Sequence, residues 1–258
     1  MESKINTNDR LYHVYASKWN TLCQKLDEHN LRGYEYSPLL LSVDNPEDFD
    51  TADIKVMLFG QDMSAGNWYR YDRHTQSLEE CMRAIRTFDN ATGSIGLNGG
   101  RQRKGMGGGL NKFIDTLNAR FPDKKIRYIW NDVVKLGRNV KKGNQYSSLL
   151  AETEREYFNV VKDEISAVNP QVLVFFTGPN PFWESKLQQC LGIDAFCYQP
   201  VPDWNGSMHQ LALLTLNKET LPPVLYAFRT YHPCARESKI HVKHEDLYKV
   251  IATHIQGL

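Results

Sequence analysis

Between residues 9 and 28, Leu11, Val14, Tyr15, Leu22 and Leu26 recur at spacings of three, four and seven. That spacing sets them on one face of an amphipathic helix. Residues 30–52 lose the periodicity and are rich in Asn, Asp, Pro and Tyr. The run Ile54-Lys55-Val56-Met57-Leu58-Phe59 predicts a first strand that stops at Gly60-Gln61-Asp62. A helical stretch is expected over about 77–88. The segment Gly93–Gly109, GSIGLNGGRQRKGMGGG, is too glycine-rich for helix or strand and reads as loop. A helix over Leu110–Arg120 follows, with Leu110, Phe113, Ile114 and Leu117 on one side. Ile126–Trp130 predicts a second strand, ending at Asn131-Asp132. One long helix is expected over 148–168, stopped by Pro170. Val172–Phe176 is a near-continuous apolar run, as a parallel strand covered on both faces requires. A helix at 181–191, two short strands around PVPDWNGSMH within 194–217, a last strand at Val224–Phe228 and a final helix at 239–255 complete the chain.

Strands alternating with helices predict an α/β protein, a three-layer α/β/α sandwich around a mostly parallel central sheet. No internal repeat and no linker divides it. A single domain over 1–258 is expected, with a helical and irregular lead-in at 1–52 and a core at 54–255. Hydrophobic residues are 41% and charged residues 24%, the balance of a globular domain and not of a disordered or fibrous chain. The strongest apolar run is far too short to span a bilayer. The start, MESKINTNDR, has no apolar signal region. The five cysteines form no CxxC pair, so reduced thiols in a cytoplasmic protein are expected, without a disulfide framework or zinc ribbon. The net charge of +1 confines any basic surface for nucleic acid to a local patch.

Ligands of open parallel sheets sit beyond the carboxyl ends of the strands. There the first strand delivers Gln61 and Asp62, the second Asn131 and Asp132, the third Thr177, Gly178 and Asn180, and the last Tyr231, His232 and Pro233. Each alone is an ordinary strand-end or turn residue. An acid, an amide and a histidine converging on one rim together point to a polar site.

In that order these segments resemble the uracil-DNA glycosylase superfamily. Gly60-Gln61-Asp62 matches the start of its GQDPYH motif. Ile129-Trp130-Asn131-Asp132-Val133-Val134-Lys135 is similar to the strand-Asn segment of the iron–sulfur branch, and His232-Pro233 to the start of an HPS-type motif. Gly109–Asp115 resembles the helix start that precedes the Asn strand. The resemblance covers about 54–255 and implies hydrolysis of the N-glycosidic bond of an extruded uracil or related damaged base, in DNA repair, with DNA or another nucleic acid as partner. It implies no metal or organic cofactor. The motif departs in three places: Met63-Ser64 replace the Pro-Tyr that rejects thymine, Cys234 stands third in the HPS motif, and Arg236 occupies the position of the duplex-wedging leucine. The cysteine pattern of an iron–sulfur cluster is absent.

The resemblance makes Asp62 the catalytic carboxylate, which stabilises the sugar cation and orients water. His232 becomes the donor to the leaving base. Asn131 and Gln61 fall in the base-binding group, since an amide donates and accepts at once. Trp68, Tyr69 and Tyr71 are candidates to stack on the base, against ordinary packing. Arg101, Arg103 and Lys104 are candidates for phosphate contact, against a plain surface loop. Their Gly-rich segment follows no strand and precedes no Gly-Lys-Ser/Thr, so it is neither a dinucleotide fingerprint nor a P-loop. Arg236 is a candidate nucleic-acid contact, against a surface ion pair with Glu237 or Asp246. His241 and His244 are expected on an exposed helix face. The alternative function is a fold relative that binds a nucleobase, nucleotide or nucleic acid without cleaving it.

Overall fold

The computed structural model describes residues 5–31, 37–62, 71–84, 105–136, 148–217, 219, 221 and 223–255. Helix α1 (Thr7–Glu28) starts on a capping box, in which Asn6 and Asp9 exchange side-chain and backbone bonds. Its buried face is Leu11, Tyr15, Trp19, Leu22 and Leu26. Then follow α2 (Pro46–Asp50), β1 (Ile54–Asp62), a helical segment α3 (78–84), α4 (Gly105–Arg120) and β2 (Ile126–Val134). The chain continues with α5 (Ser148–Tyr157), α6 (Val161–Val168), β3 (Val172–Phe175), α7 (Pro181–Leu191), β4 (Phe196–Pro200) and β5 (Leu211–Leu216). It closes with β6 (Tyr226–Thr230), α8 (Glu237–Ile240) and α9 (His244–His254).

The strands form one mixed sheet in the order β2-β1-β3-β6-β5-β4. The first four are parallel, and β5 and β4 add an antiparallel edge. Side chains alternate along each central strand, so each feeds two cores. Met57, Phe59, Leu173 and Phe175 face the layer of α1, α5, α6 and α7. Val56, Leu58, Val172 and Val174 face the layer where α4 packs on α9. The expected three-layer α/β arrangement around a mostly parallel sheet is therefore present. Among the described residues, no helix is long and apolar enough to cross a membrane.

Four local expectations are corrected. First, β1 runs through Gly60-Gln61-Asp62 and β2 through Asn131-Asp132 to Val134, so these residues lie inside strands and alternate between faces. Second, the long helix is two, α5 and α6. The break at 158–160 turns Phe158 and Val160 into the core, where both are fully buried. Third, the final helix is also two, with His241 in the left-handed conformation (φ 54°) between α8 and α9.

The fourth correction concerns glycine. Gly105–Gly109, read as loop, opens α4. At Gly109 the reason is close packing: a Cβ there would lie 2.6 Å from the Pro233 carbonyl oxygen and 2.8 Å from its Cβ. The missing side chain lets α4 rest directly on the turn after β6. Glycine to alanine within an exposed helix stabilises by up to about 1 kcal/mol. Gly109→Ala is expected to do the reverse and destabilise by about 1–3 kcal/mol through overpacking. Urea unfolding reads the sign, and a stabilised variant would refute the close packing.

Candidate active site at the carboxyl edge of the sheet

Strand β1 lies between β2, which follows it in the chain order of strands, and β3, on its other side. The order reverses at β1/β3, the switch point where open α/β sheets take their ligands. Pairing of β1 with β3 ends at Phe59 and Phe175, whereas pairing of β1 with β2 runs on to Asp62 and Val134. Beyond Phe175 the chain turns away through Thr177 and Gly178, whose φ of +69° suits glycine. Gln61 bridges the switch point, its Nε2 donating to the Thr177 carbonyl at 3.0 Å. Half-buried Asp62 ends β1 beside it. His232 leaves β6, two strands from β1, a lateral offset of about 10 Å at the usual strand spacing. That is the width of a nucleoside, and β3, the strand between, is the shorter one.

His232 sits in a tight turn closed by the Ala235 N–H donating to the His232 carbonyl at 2.8 Å. The Cys234 N–H donates to His232 Nδ1 at 3.2 Å, so the proton of the neutral ring is on Nε2. Burial, helped by neighbouring His244, pushes the His232 pKa down to about 4. At neutral pH the imidazole is an uncharged Nε2–H donor. Contrary to the sequence expectation, His244 is buried (5% exposed). Its Nε2 lies 2.9 Å from the Ala235 carbonyl, which accepts, and its backbone N–H donates to Glu237 at 3.0 Å. His244 thus braces the turn that carries His232.

The sign of the pH effect follows. An unfolded histidine protonates near pH 6.5, whereas folded His232 does so only near 4. Its contribution is neutral above 6.5 and increasingly destabilising as the pH falls from 6.5 to 4. His232→Asn is expected to flatten that part of the stability–pH curve. In the wild type, nitrogen NMR should find a ring that stays in its Nε2–H form down to pH 5. A His232 ring titrating at 6.5 would contradict this environment.

Asn131 and Asp132 part company because a strand sends neighbours to opposite faces. Asn131, paired with Phe59, is fully buried in the α1 and α6 layer. Its Nδ2 donates to Glu164 at 2.8 Å, and its Oδ1 accepts from the Asp132 N–H at 2.8 Å and from Lys135 Nζ at 2.6 Å. Lys135 Nζ pairs with Glu164 Oε1 at 2.7 Å, which also accepts from the Tyr15 hydroxyl at 2.6 Å. Both ends of the Asn131 amide are therefore engaged inside the core, and it does not join Asp62 and His232 at the rim.

Asp132, paired with Gly60, points to the other face. A Cβ on Gly60 would collide with Asp132 Oδ1 and with the Trp130 ring, so the carboxyl lies directly across glycine. It is 5% exposed. Burial holds its pKa well above the ordinary carboxylate range; the Lys135 charge and a Trp130 hydrogen bond oppose this, and the Asp62 charge adds to it. The sequence contained the signal for this residue, the apolar continuation Val133-Val134 that prolongs the strand and sets its parity.

Tyr71 is a core residue, 2% exposed, its hydroxyl donating to the Pro38 carbonyl at 2.6 Å and its ring 6.4 Å from that of Trp19. It offers no free face to a base. Arg236, the exposed N-cap residue of α8, makes no side-chain cap bond, and among the described residues it makes no ion pair with Glu237 or Asp246. Trp68, Tyr69, Arg101, Arg103 and Lys104 lie outside the described residues. The cysteines Cys23, Cys81, Cys190, Cys197 and Cys234 are free thiols. Among the described residues no group of three or more His, Cys, Asp or Glu side chains is arranged to hold a metal ion. No protein-family model matches the chain, and neither a curated protein nor a solved structure matches it.

Proposed function

We propose that the protein is a uracil-DNA glycosylase-like enzyme that hydrolyses the N-glycosidic bond of an extruded uracil or related base. The observation that carries this reading is the placement of Asp62 and of a neutral His232 at the same carboxyl edge of the sheet, at the ends of β1 and β6. Cleavage of the C1′–N bond leaves positive charge on the sugar and negative charge on the base. A carboxylate at Asp62 stabilises the first and accepts a hydrogen bond from the water that attacks C1′. The Nε2–H of His232 stabilises the second, and a neutral donor can do so without surrendering a proton. The water hydroxyl joins C1′, and its proton is released to the departing base or to solvent.

The test is uracil release from single-stranded and mismatched oligonucleotides by the purified chain. The sequestered amide of Asn131 favours one second reading, a fold relative that binds a base or nucleic acid without cleaving it. Retained binding with no release of any deaminated base would select that reading.

A further inference from the structure

We propose that Asp132, rather than Asn131, reads the edge of the bound base, pairing with the adjacent N–H and C=O of a uracil- or hypoxanthine-type ring. The inference rests on the reading of the rim as a base-binding site. Three observations lead to it. Both ends of the Asn131 amide are engaged inside the core, Nδ2 by Glu164 and Oδ1 by Lys135 and the Asp132 N–H. Asp132 projects from the same strand end onto the face that Gly60 leaves open, two residues before Asp62 on the neighbouring strand. Its carboxyl is buried, and among the described residues the cation acting on it, Lys135, gives its ammonium to Glu164 and Asn131 on the other face.

A buried carboxyl in that position is held as the acid, and an acid has the hydrogen-bonding capacity of an amide edge: one O–H donor beside one C=O acceptor. The O–H then donates to a base carbonyl while the C=O accepts from the base N–H. Among the described residues, the charged groups acting on Asp132 are Asp62 at the end of β1 and Lys135 just after β2. Ionisation removes the donor and leaves two acceptors, which repel the base carbonyl. Base reading is thus tied to the protonated state and weakens as the pH rises.

The experiment uses a single-stranded oligonucleotide carrying one 2′-fluoro-2′-deoxyuridine, which resists cleavage, against the same strand with an abasic tetrahydrofuran at that position. The ratio of the two affinities isolates base reading. The wild type is expected to prefer the uracil strand while Asp132 holds its proton and to lose that preference as the pH rises. Asp132→Asn keeps the donor and acceptor, so its preference is expected to stay within about threefold of the highest wild-type value and to be independent of pH. Asp132→Ala is expected to lose about 5- to 150-fold of the preference, the worth of a bidentate base contact. Melting temperatures of both variants confirm folding, and the Asn variant secures the result if the Ala variant does not fold. Equal preferences and equal pH profiles for wild type and Asp132→Asn would overturn the role of Asp132 alone. A wild type with no preference for the uracil strand at any pH would overturn the base-binding reading of the rim, and this inference with it.

Discussion

Glu164→Ala is expected to destabilise the protein by about 3–5 kcal/mol, the usual result of stranding one member of a buried ion pair. Glu164 is 0% exposed and Lys135 is 1% exposed. One carboxylate satisfies three donors: the Tyr15 hydroxyl, the Asn131 amide and the Lys135 ammonium. Its removal leaves a buried cation with only the Asn131 oxygen, and leaves two further donors unpaired. The damage would spread beyond the side chain. Tyr15 also accepts from the Leu41 N–H at 2.7 Å, and the Lys135 carbonyl accepts from the Leu39 N–H at 2.7 Å. The network therefore ties α1 and the 37–43 segment to the end of β2. Thermal melting should drop by roughly 6–20 °C for a chain of this size. Glu164→Gln keeps two oxygen and nitrogen positions but loses the charge, and should fall between the two. A loss under about 1 kcal/mol for Glu164→Ala would mean that the pair is not the clamp described. The exposed Lys249–Glu245 pair on α9 is the natural control, and its removal should leave the melt unchanged.

Asp62→Asn is expected to slow base release a hundredfold or more in single-turnover assays, with binding of the uracil strand retained. The substitution is isosteric, so it removes charge while keeping shape. The loss of one preorganised electrostatic group at a reacting centre costs about 2.7–4 kcal/mol of barrier. The change has a second expected signature. The Asp62 charge helps to hold the Asp132 proton, so Asp62→Asn should shift the pH dependence of uracil binding to lower pH. A structural role for Asp62 alone would lower stability and leave both readouts in place. Release within threefold of wild type would remove Asp62 from the chemistry. His232 supplies an independent check, because a neutral donor with a pKa of about 4 predicts no loss of activity from this residue between pH 5.5 and 8.

Element order was legible because it depends on local pattern. The apolar runs at β1, β2 and β3 and the three-and-four spacing of α1 declare their type within a few residues. The hairpin-like strands β4 and β5 and the limits of α7 were legible for the same reason. Pattern failed where a tertiary contact overrode propensity. Glycines at 105–109 argue against a helix, yet the packing of Gly109 on Pro233 makes one fit there. Phe158 and Val160 break an otherwise continuous helix because the core takes them both.

The site divides in the same way. The sequence by itself determined which strand ends carry acid, amide and imidazole, since that follows from where each apolar run stops. Only the tertiary structure decided that Asn131 is closed into the α1 and α6 layer while Asp132 lies across Gly60 on the other face. Two strand neighbours always point to opposite sides, and the choice depends on register: Asn131 beside Phe59, Asp132 beside Gly60. The same holds for His244, whose burial comes from the turn that α9 packs under, and for the uncharged state of His232, which comes from removal of water around its ring. Register and desolvation are set by partners distant in the chain, and no local window of residues contains them.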